Sequence, residues 1–323
     1  MENEFFNDEN HNSLKKLSML KEHLTSKIKE KGLEADFKNL SIYCTGSYGR
    51  QEANNNSDMD LLVITDDTNG EKYNKSSFNL LKRWVKAWLK SQNIKKLDNN
   101  GKYFKPHTLS TVLEETGSVK DDYKNTFTTR MLLLFEGKSV LNEEIFKECR
   151  KKIVEHYFRD RDQSPGMFRP VFLLNDIIRY WRTICLNYEY KRSRYLGGSQ
   201  KPEEKNKQKL ANKKLKFHRV WLCYSAIIPL LKSSYWDVEQ MMKIIDQTPF
   251  ERIKGACEPT HEVLFKECVS LYSKFINEIK TISYIEQSIN WEDLNDMAFK
   301  FRKKVLEIID AVCDKEAKSY LLV

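Results

Sequence analysis

Two carboxylates one residue apart, Asp58 and Asp60, follow the dipeptide Gly46-Ser47 after a spacer that puts Asp58 eleven positions beyond Ser47. The apolar run Leu61-Leu62-Val63-Ile64 comes directly after Asp60, and the β-forming run Leu40-Ser41-Ile42-Tyr43-Cys44 precedes the glycine. Residues i and i+2 of a strand face the same way, so Asp58 and Asp60 are expected to project together from the start of a buried strand. Like charges placed so repel unless a cation lies between them. Hard oxygen donors of this kind suit Mg²⁺ or Mn²⁺, whose remaining positions phosphate oxygens fill. Gly46 reads as the turn that ends the first strand. Ser47 then opens a helix or tight loop whose N–H groups attract phosphate. Arg50 adds a planar fork matched to phosphate oxygens. A phosphate cradle facing a carboxylate pair is what metal-assisted phosphoryl or nucleotidyl transfer requires.

The elements that must hold these residues are readable around them. Ser13 is expected to cap a helix carrying Leu14, Leu17, Leu20, Leu24 and Ile28 at three- and four-residue steps, with Gly32 ending it and the residues before Ser13 frayed. Leu40 to Cys44 and Leu61 to Thr65 read as strands, and Phe78, Leu81, Val85 and Leu89 as the apolar stripe of a helix begun at Ser76 or Ser77. Thr126 to Gly137 and Glu143 to Phe158 read as helices, the second capped by Asn142. The chain beyond has almost no strand signal. This is an α+β protein with a small mixed sheet in residues 1–145 and an all-helical part in residues 146–323.

In the helical part, Asn175, Arg179 and Arg182 share one face of a helix spanning 171–190, opposite Leu174, Ile177, Ile178, Trp181 and Ile184. Two arginines there suit a triphosphate or an acidic acceptor, or else a solvated face. Between Lys191 and Arg219 stand eleven Lys or Arg against Glu203 and Glu204, with aromatics following from Phe217. Such a segment binds an RNA backbone or is plainly solvated. Arg150 and His156 fit a permissive Arg-x(4–6)-His nuclease pattern on a single helix, for which an ordinary surface helix is the better explanation.

The net charge of +9 across 323 residues is compatible with nucleic acid or nucleotides and chooses neither. No apolar run reaches the roughly 20 residues of a membrane span, and the acidic start Met1-Glu2-Asn3-Glu4 has no apolar signal region. Seven cysteines without a Cys-x-x-Cys pair fit reduced thiols in a cytoplasmic setting.

Gly46-Ser47-Tyr48-Gly49-Arg50, the spacer, and Ser57-Asp58-Met59-Asp60-Leu61-Leu62 together resemble the signature of the polymerase-β nucleotidyltransferase superfamily. The wording is nearest to bacterial PII-uridylyltransferase-like and minimal nucleotidyltransferase proteins, and covers about residues 40–65. The resemblance implies transfer of a nucleoside monophosphate from an NTP, with Asp58 and Asp60 holding Mg²⁺ (or Mn²⁺) and Gly46, Ser47 and Arg50 binding phosphates. It implies a further carboxylate on a later strand, for which Asp98, Glu114 and Glu115 are the candidates and none stands out. It also implies a basic residue of the helical part at the outer phosphates, with Lys213, Lys214, Lys216 and Arg219 as candidates. An RNA, a protein or another nucleotide would be the acceptor, in a bacterial toxin or phage-defence setting. The alternative is a catalytically silent nucleotide-sensing module, an antitoxin or regulatory partner.

Overall fold

The computed structural model describes residues 2–54, 57–70, 72–94, 103–163, 166–193, 202–281 and 290–322. The chain divides into two compact units, Asn3–Arg159 and Asp160–Val323.

The first unit contains helices α1 (Glu2–Glu30) and α2 (Glu34–Phe37), strand β1 (Leu40–Thr45), the single turn α3 (Gly46–Gly49), strand β2 (Asp60–Thr65) and helix α4 (Lys75–Ser91). It continues with β3 (Pro106–Thr108), α5 (Leu109–Glu114), α6 (Val119–Tyr123), α7 (Thr126–Phe135), β4 (Lys138–Leu141) and α8 (Glu143–Tyr157). The strands form one four-stranded sheet in the order β3-β2-β1-β4. β1 is antiparallel to both β2 and β4, and β2 is parallel to β3.

Period-two alternation gives the sheet two buried faces. Leu40, Ile42 and Cys44 of β1 and Leu61 and Val63 of β2 share a core with Leu17, Leu20, Leu24 and Ile28 of α1 and Phe78, Leu81, Val85 and Leu89 of α4. The other face meets α7 and α8, where the Tyr43 and Phe146 rings lie 5.7 Å apart. The unit is therefore a sheet between two helical layers. Because α8 packs on β1 and β2, the helix that the sequence reading gave to the second part of the chain groups with the sheet.

One local expectation changes. The first helix starts at Glu2, and Ser13 lies inside it, fully buried. It does not cap the helix, because its hydroxyl accepts the Ala53 N–H at 3.1 Å. Leu109 to Glu114 is helical, and the strand lies just before it, at Pro106–Thr108.

The second unit contains α9 (Val171–Ser193), α10 (Pro202–Lys214), a π-helical turn at Leu215–Arg219, α11 (Val220–Lys232), α12 (Val238–Asp246) and α13 (Pro249–Ala256). Helices α14 (Glu262–Thr281), α15 (Trp291–Val312) and α16 (Lys315–Lys318) complete it. Its core is aromatic. Phe217 stacks on Phe275 at 4.0 Å and on Phe301 at 5.0 Å, and Trp221 stacks on Tyr272 at 5.3 Å. Among the described residues, no helix is long and apolar enough to cross a membrane.

Candidate active site

β1 ends at Thr45, whose register partner across the sheet is Asp60, the first residue of β2. The chain turns immediately at Gly46, with φ of +68°. A Cβ built there would stand 2.5 Å from the Asp60 Oδ2 atom. Backbone and carboxylate thus share a space that only glycine leaves open, and the turn requires a left-handed conformation that glycine adopts without strain. Gly49 is constrained as tightly, since a Cβ there would meet the Glu136 carbonyl oxygen at 2.2 Å and that of Cys44 at 2.8 Å. The turn closes on itself through Arg50 N–H to Gly46 C=O at 3.0 Å and Glu52 N–H to Ser47 C=O at 2.8 Å. Ser47 is half-buried.

Residues 51–54 and 57–59, between the turn and β2, are fixed at three places. Gln51 takes a positive φ of 63°. The Ala53 N–H is held by Ser13 of α1. The Ser57 N–H donates to the Asn54 carbonyl and its Oγ accepts from the Asn54 N–H, each at 3.0 Å. Met59 is fully buried in the α1–α4 core; it and Asp58 precede β2, which begins at Asp60. Asp58 is exposed and Asp60 half-buried.

The Asp60 carboxylate lies directly against the glycine turn, and the exposed Asp58 precedes it by two residues; oxygen donors of this kind suit a divalent cation that takes its other ligands from substrate phosphates and water. Among the described residues, no cluster of three or more His, Cys, Asp or Glu could enclose a metal by itself.

Arg50 does not reach toward this opening. It is buried, its Nε donates to Glu52 Oε2 at 2.9 Å, and its Nη1 donates to Glu136 Oε1. Both carboxylates are themselves buried, so the guanidinium holds two acids beneath the turn. Tyr48, also beneath the turn, has its hydroxyl pushed up to about 12 by burial and then by Cys44 and Asp58, so it stays protonated. Glu52 and Glu136 were not found from sequence, and the tie of Ser13 to Ala53 was not found either. Glu52 lies two positions from Arg50 and carried a weak signal; the other two carried none.

Of the acids considered for a third carboxylate, Asp98 lies outside the described residues. Glu115 accepts from Ser118 Oγ at 2.8 Å and Lys124 Nζ at 2.5 Å. Glu114 is exposed on α5. α5 leaves β3 beside Thr108, which pairs with Thr65 at the end of β2 remote from Asp60. The Arg150 and His156 pair is divided. Arg150 is buried, donating to the Leu134 carbonyl at 3.1 Å, whereas His156 is half-buried beside Arg159.

The remaining basic candidates belong to the second unit. Arg179 pairs with the buried Asp176 at 3.5 Å, and Arg182 is exposed. The apolar face of α9 is buried only through Tyr180; Leu186 and Tyr190 farther along are exposed. Lys214 is exposed and Lys216 half-buried. Arg194 and Lys201, from the basic run, lie outside the described residues.

Residues 26–119 match the family model described as a nucleotidyltransferase domain. The match runs from α1 to α6 and includes the whole Gly46–Asp60 segment. It is consistent with the polymerase-β-type nucleotidyltransferase superfamily, and it supports transfer of a nucleoside monophosphate with an NTP as substrate. No curated protein matches the chain.

Proposed function

We propose that the protein is a metal-dependent nucleotidyltransferase that moves an NMP from an NTP to an RNA, protein or nucleotide acceptor in the bacterial cytoplasm, in a toxin or phage-defence setting. The observation that supports this reading is the closeness of the Asp60 carboxylate to the Gly46 turn, an oxygen donor beside a turn of backbone. Asp58 and Asp60 hold Mg²⁺ or Mn²⁺ together with the triphosphate. When bound, the ion neutralises phosphate charge and favours ionisation of the acceptor hydroxyl. Gly46 and Ser47 orient the outer phosphates through backbone N–H groups and the Ser47 hydroxyl. The acceptor oxygen bonds to the α-phosphorus as the bridge to the β-phosphate breaks, and pyrophosphate leaves with the bonding pair. Arg50 serves as a positioning residue, fixing the turn through Glu52 and Glu136. Arg179 and Arg182 of α9 and Lys214 and Lys216 near the π turn are the cations we assign to nucleotide or acceptor phosphates. Within that group, Arg179 is also tied to Asp176.

Incubation with each α-labelled NTP and Mg²⁺ or Mn²⁺, with and without RNA and cell extract, tests the reading. The Asp58→Ala/Asp60→Ala protein is run alongside. Label passing to RNA, protein or a new nucleotide in the wild type alone is the expected result. Transfer that survives the double substitution would overturn it. NTP binding without turnover, under any metal, would favour the silent nucleotide-sensing module.

A further inference from the structure

In the second unit, α10 and the π turn pack against α15, and cations gather along that seam. The Lys209 Nζ lies over the Trp291 ring, 5.4 Å from its centroid. The Lys213 Nζ donates to Asn295 Oδ1, and Lys213 is only 3 % exposed. Lys216 follows in the π turn with Arg302 of α15 near enough to act on it. Lys209, Lys213 and Lys216 recur at i, i+4 and i+7. On α15 the residues that meet them step along the axis by about 6 and about 10 Å, at 1.5 Å per residue.

A lysine this deeply buried ordinarily faces a carboxylate. Among the described residues, the charges that act on Lys213 are Lys216 and Lys209, both cations, and with burial as the leading cause they lower its pKa to about 8. Lys216 is lowered in the same direction, by burial and then by Arg302. Lys209 and Arg302 are exposed on the rim of this seam, and Trp291 is half-buried. A buried ammonium held beside other cations costs stability, and sites that store such a cost are often functional ones. π turns inside α-helices are likewise frequent at functional sites. An anion would offset this gathering of cations. An extended row of cations with an aromatic ring at one end matches a phosphate backbone with its bases better than it matches a single compact ion.

We propose that this seam is a groove for the phosphodiester backbone of single-stranded RNA, with Lys213 as its floor, Lys209, Lys216 and Arg302 along it, and Trp291 at its end. Under the transferase reading above, on which this assignment of substrate class rests, that RNA is the acceptor.

The test is equilibrium binding of a short labelled oligoribonucleotide to the full chain without NTP, by fluorescence anisotropy, between about 50 and 200 mM salt. Wild-type protein is expected to bind, with affinity falling steeply as salt rises. Lys213→Met is expected to weaken binding about tenfold or more while its melting temperature stays at or above that of the wild type, because it removes a buried charge repelled by its neighbours. Lys209→Ala/Arg302→Ala alters only exposed groups. It is expected to weaken binding comparably and to lower the salt slope by about 0.7 for each phosphate that is no longer neutralised. Absence of wild-type binding at low salt, or affinities within about twofold of wild type in both variants, overturns the groove. NTP transfer is measured on the same preparations. RNA binding with no transfer keeps the groove and removes the enzymatic reading, whereas transfer to a non-RNA acceptor with no RNA binding does the reverse.

Discussion

Gly46 and the Asp60 carboxylate occupy neighbouring positions in one small volume, which limits what either site tolerates. Gly46→Ala adds a methyl group where Oδ2 stands and forces a non-glycine residue to a φ of +68°. We expect it to cost about 1–2 kcal/mol of stability, read as a lower urea midpoint, and to reduce transfer far more than that loss explains. Gly46→Ala with wild-type activity would show that the close approach does not matter to the site. Arg50 gives a second prediction. Arg50→Met removes a buried guanidinium that pairs with the buried Glu52 and Glu136, for an expected loss of about 3–5 kcal/mol. Arg50→Lys should recover part of the stability, but not the two-pronged geometry by which one guanidinium spans both acids. A phosphate ligand would instead show a raised KM for NTP with the fold intact, so comparing the melt with KM and kcat separates the two roles.

At the scale of elements, the strand–turn–strand carrying the aspartates was legible because three signals coincide there: a glycine turn, a period-two carboxylate pair and an apolar run. The helix stripes of α1 and α4 were legible for the same reason, a period sustained over several turns. Lost were β3 and β4, three and four residues long, too short for alternation to register. Ser13 misled because a serine before an apolar helix is a good cap in isolation, and its long-range partner Ala53 leaves no local trace. Ser13→Ala is expected to cost about 1 kcal/mol through the lost bond to Ala53 N–H, seen as faster amide exchange in residues 51–54. The α6–α7 corner carries a pH-dependent link. Burial alone would raise the pKa of Asp121, but its hydrogen bonds and charge interaction with Arg130 outweigh that and lower it. The stabilisation it contributes is therefore complete above the unfolded value of 3.8 and is lost as pH falls through the lower folded value. Asp121→Asn should be less stable than wild type at pH 7, with the gap narrowing below about pH 4 when urea midpoints are compared.

For the whole molecule, the sequence conveyed an α+β first half and a helical second half because the strand signal stops after residue 158. The end of the first unit was less legible, since a helix packed on a sheet and a helix packed on helices have the same periodicity. α8 buries Phe146, Cys149, Ile153, Val154 and Tyr157. A fragment of residues 1–159 is accordingly expected to melt cooperatively, whereas one of residues 1–145 loses that helix, uncovers one face of the sheet and should melt broadly or aggregate. A cooperative transition in the shorter fragment would show that the sheet does not need α8.

The catalytic turn is braced from far down the chain: Gly49 lies under the Glu136 carbonyl, and Arg50 finds its second carboxylate in the Glu136 side chain. During translation the Gly-Ser turn and both aspartates leave the ribosome well before Glu136 does. Until then the nascent turn lacks the Glu136 carbonyl and carboxylate that meet it in the folded unit. The turn at Gly46–Gly49 is therefore completed only after most of the first unit has been made.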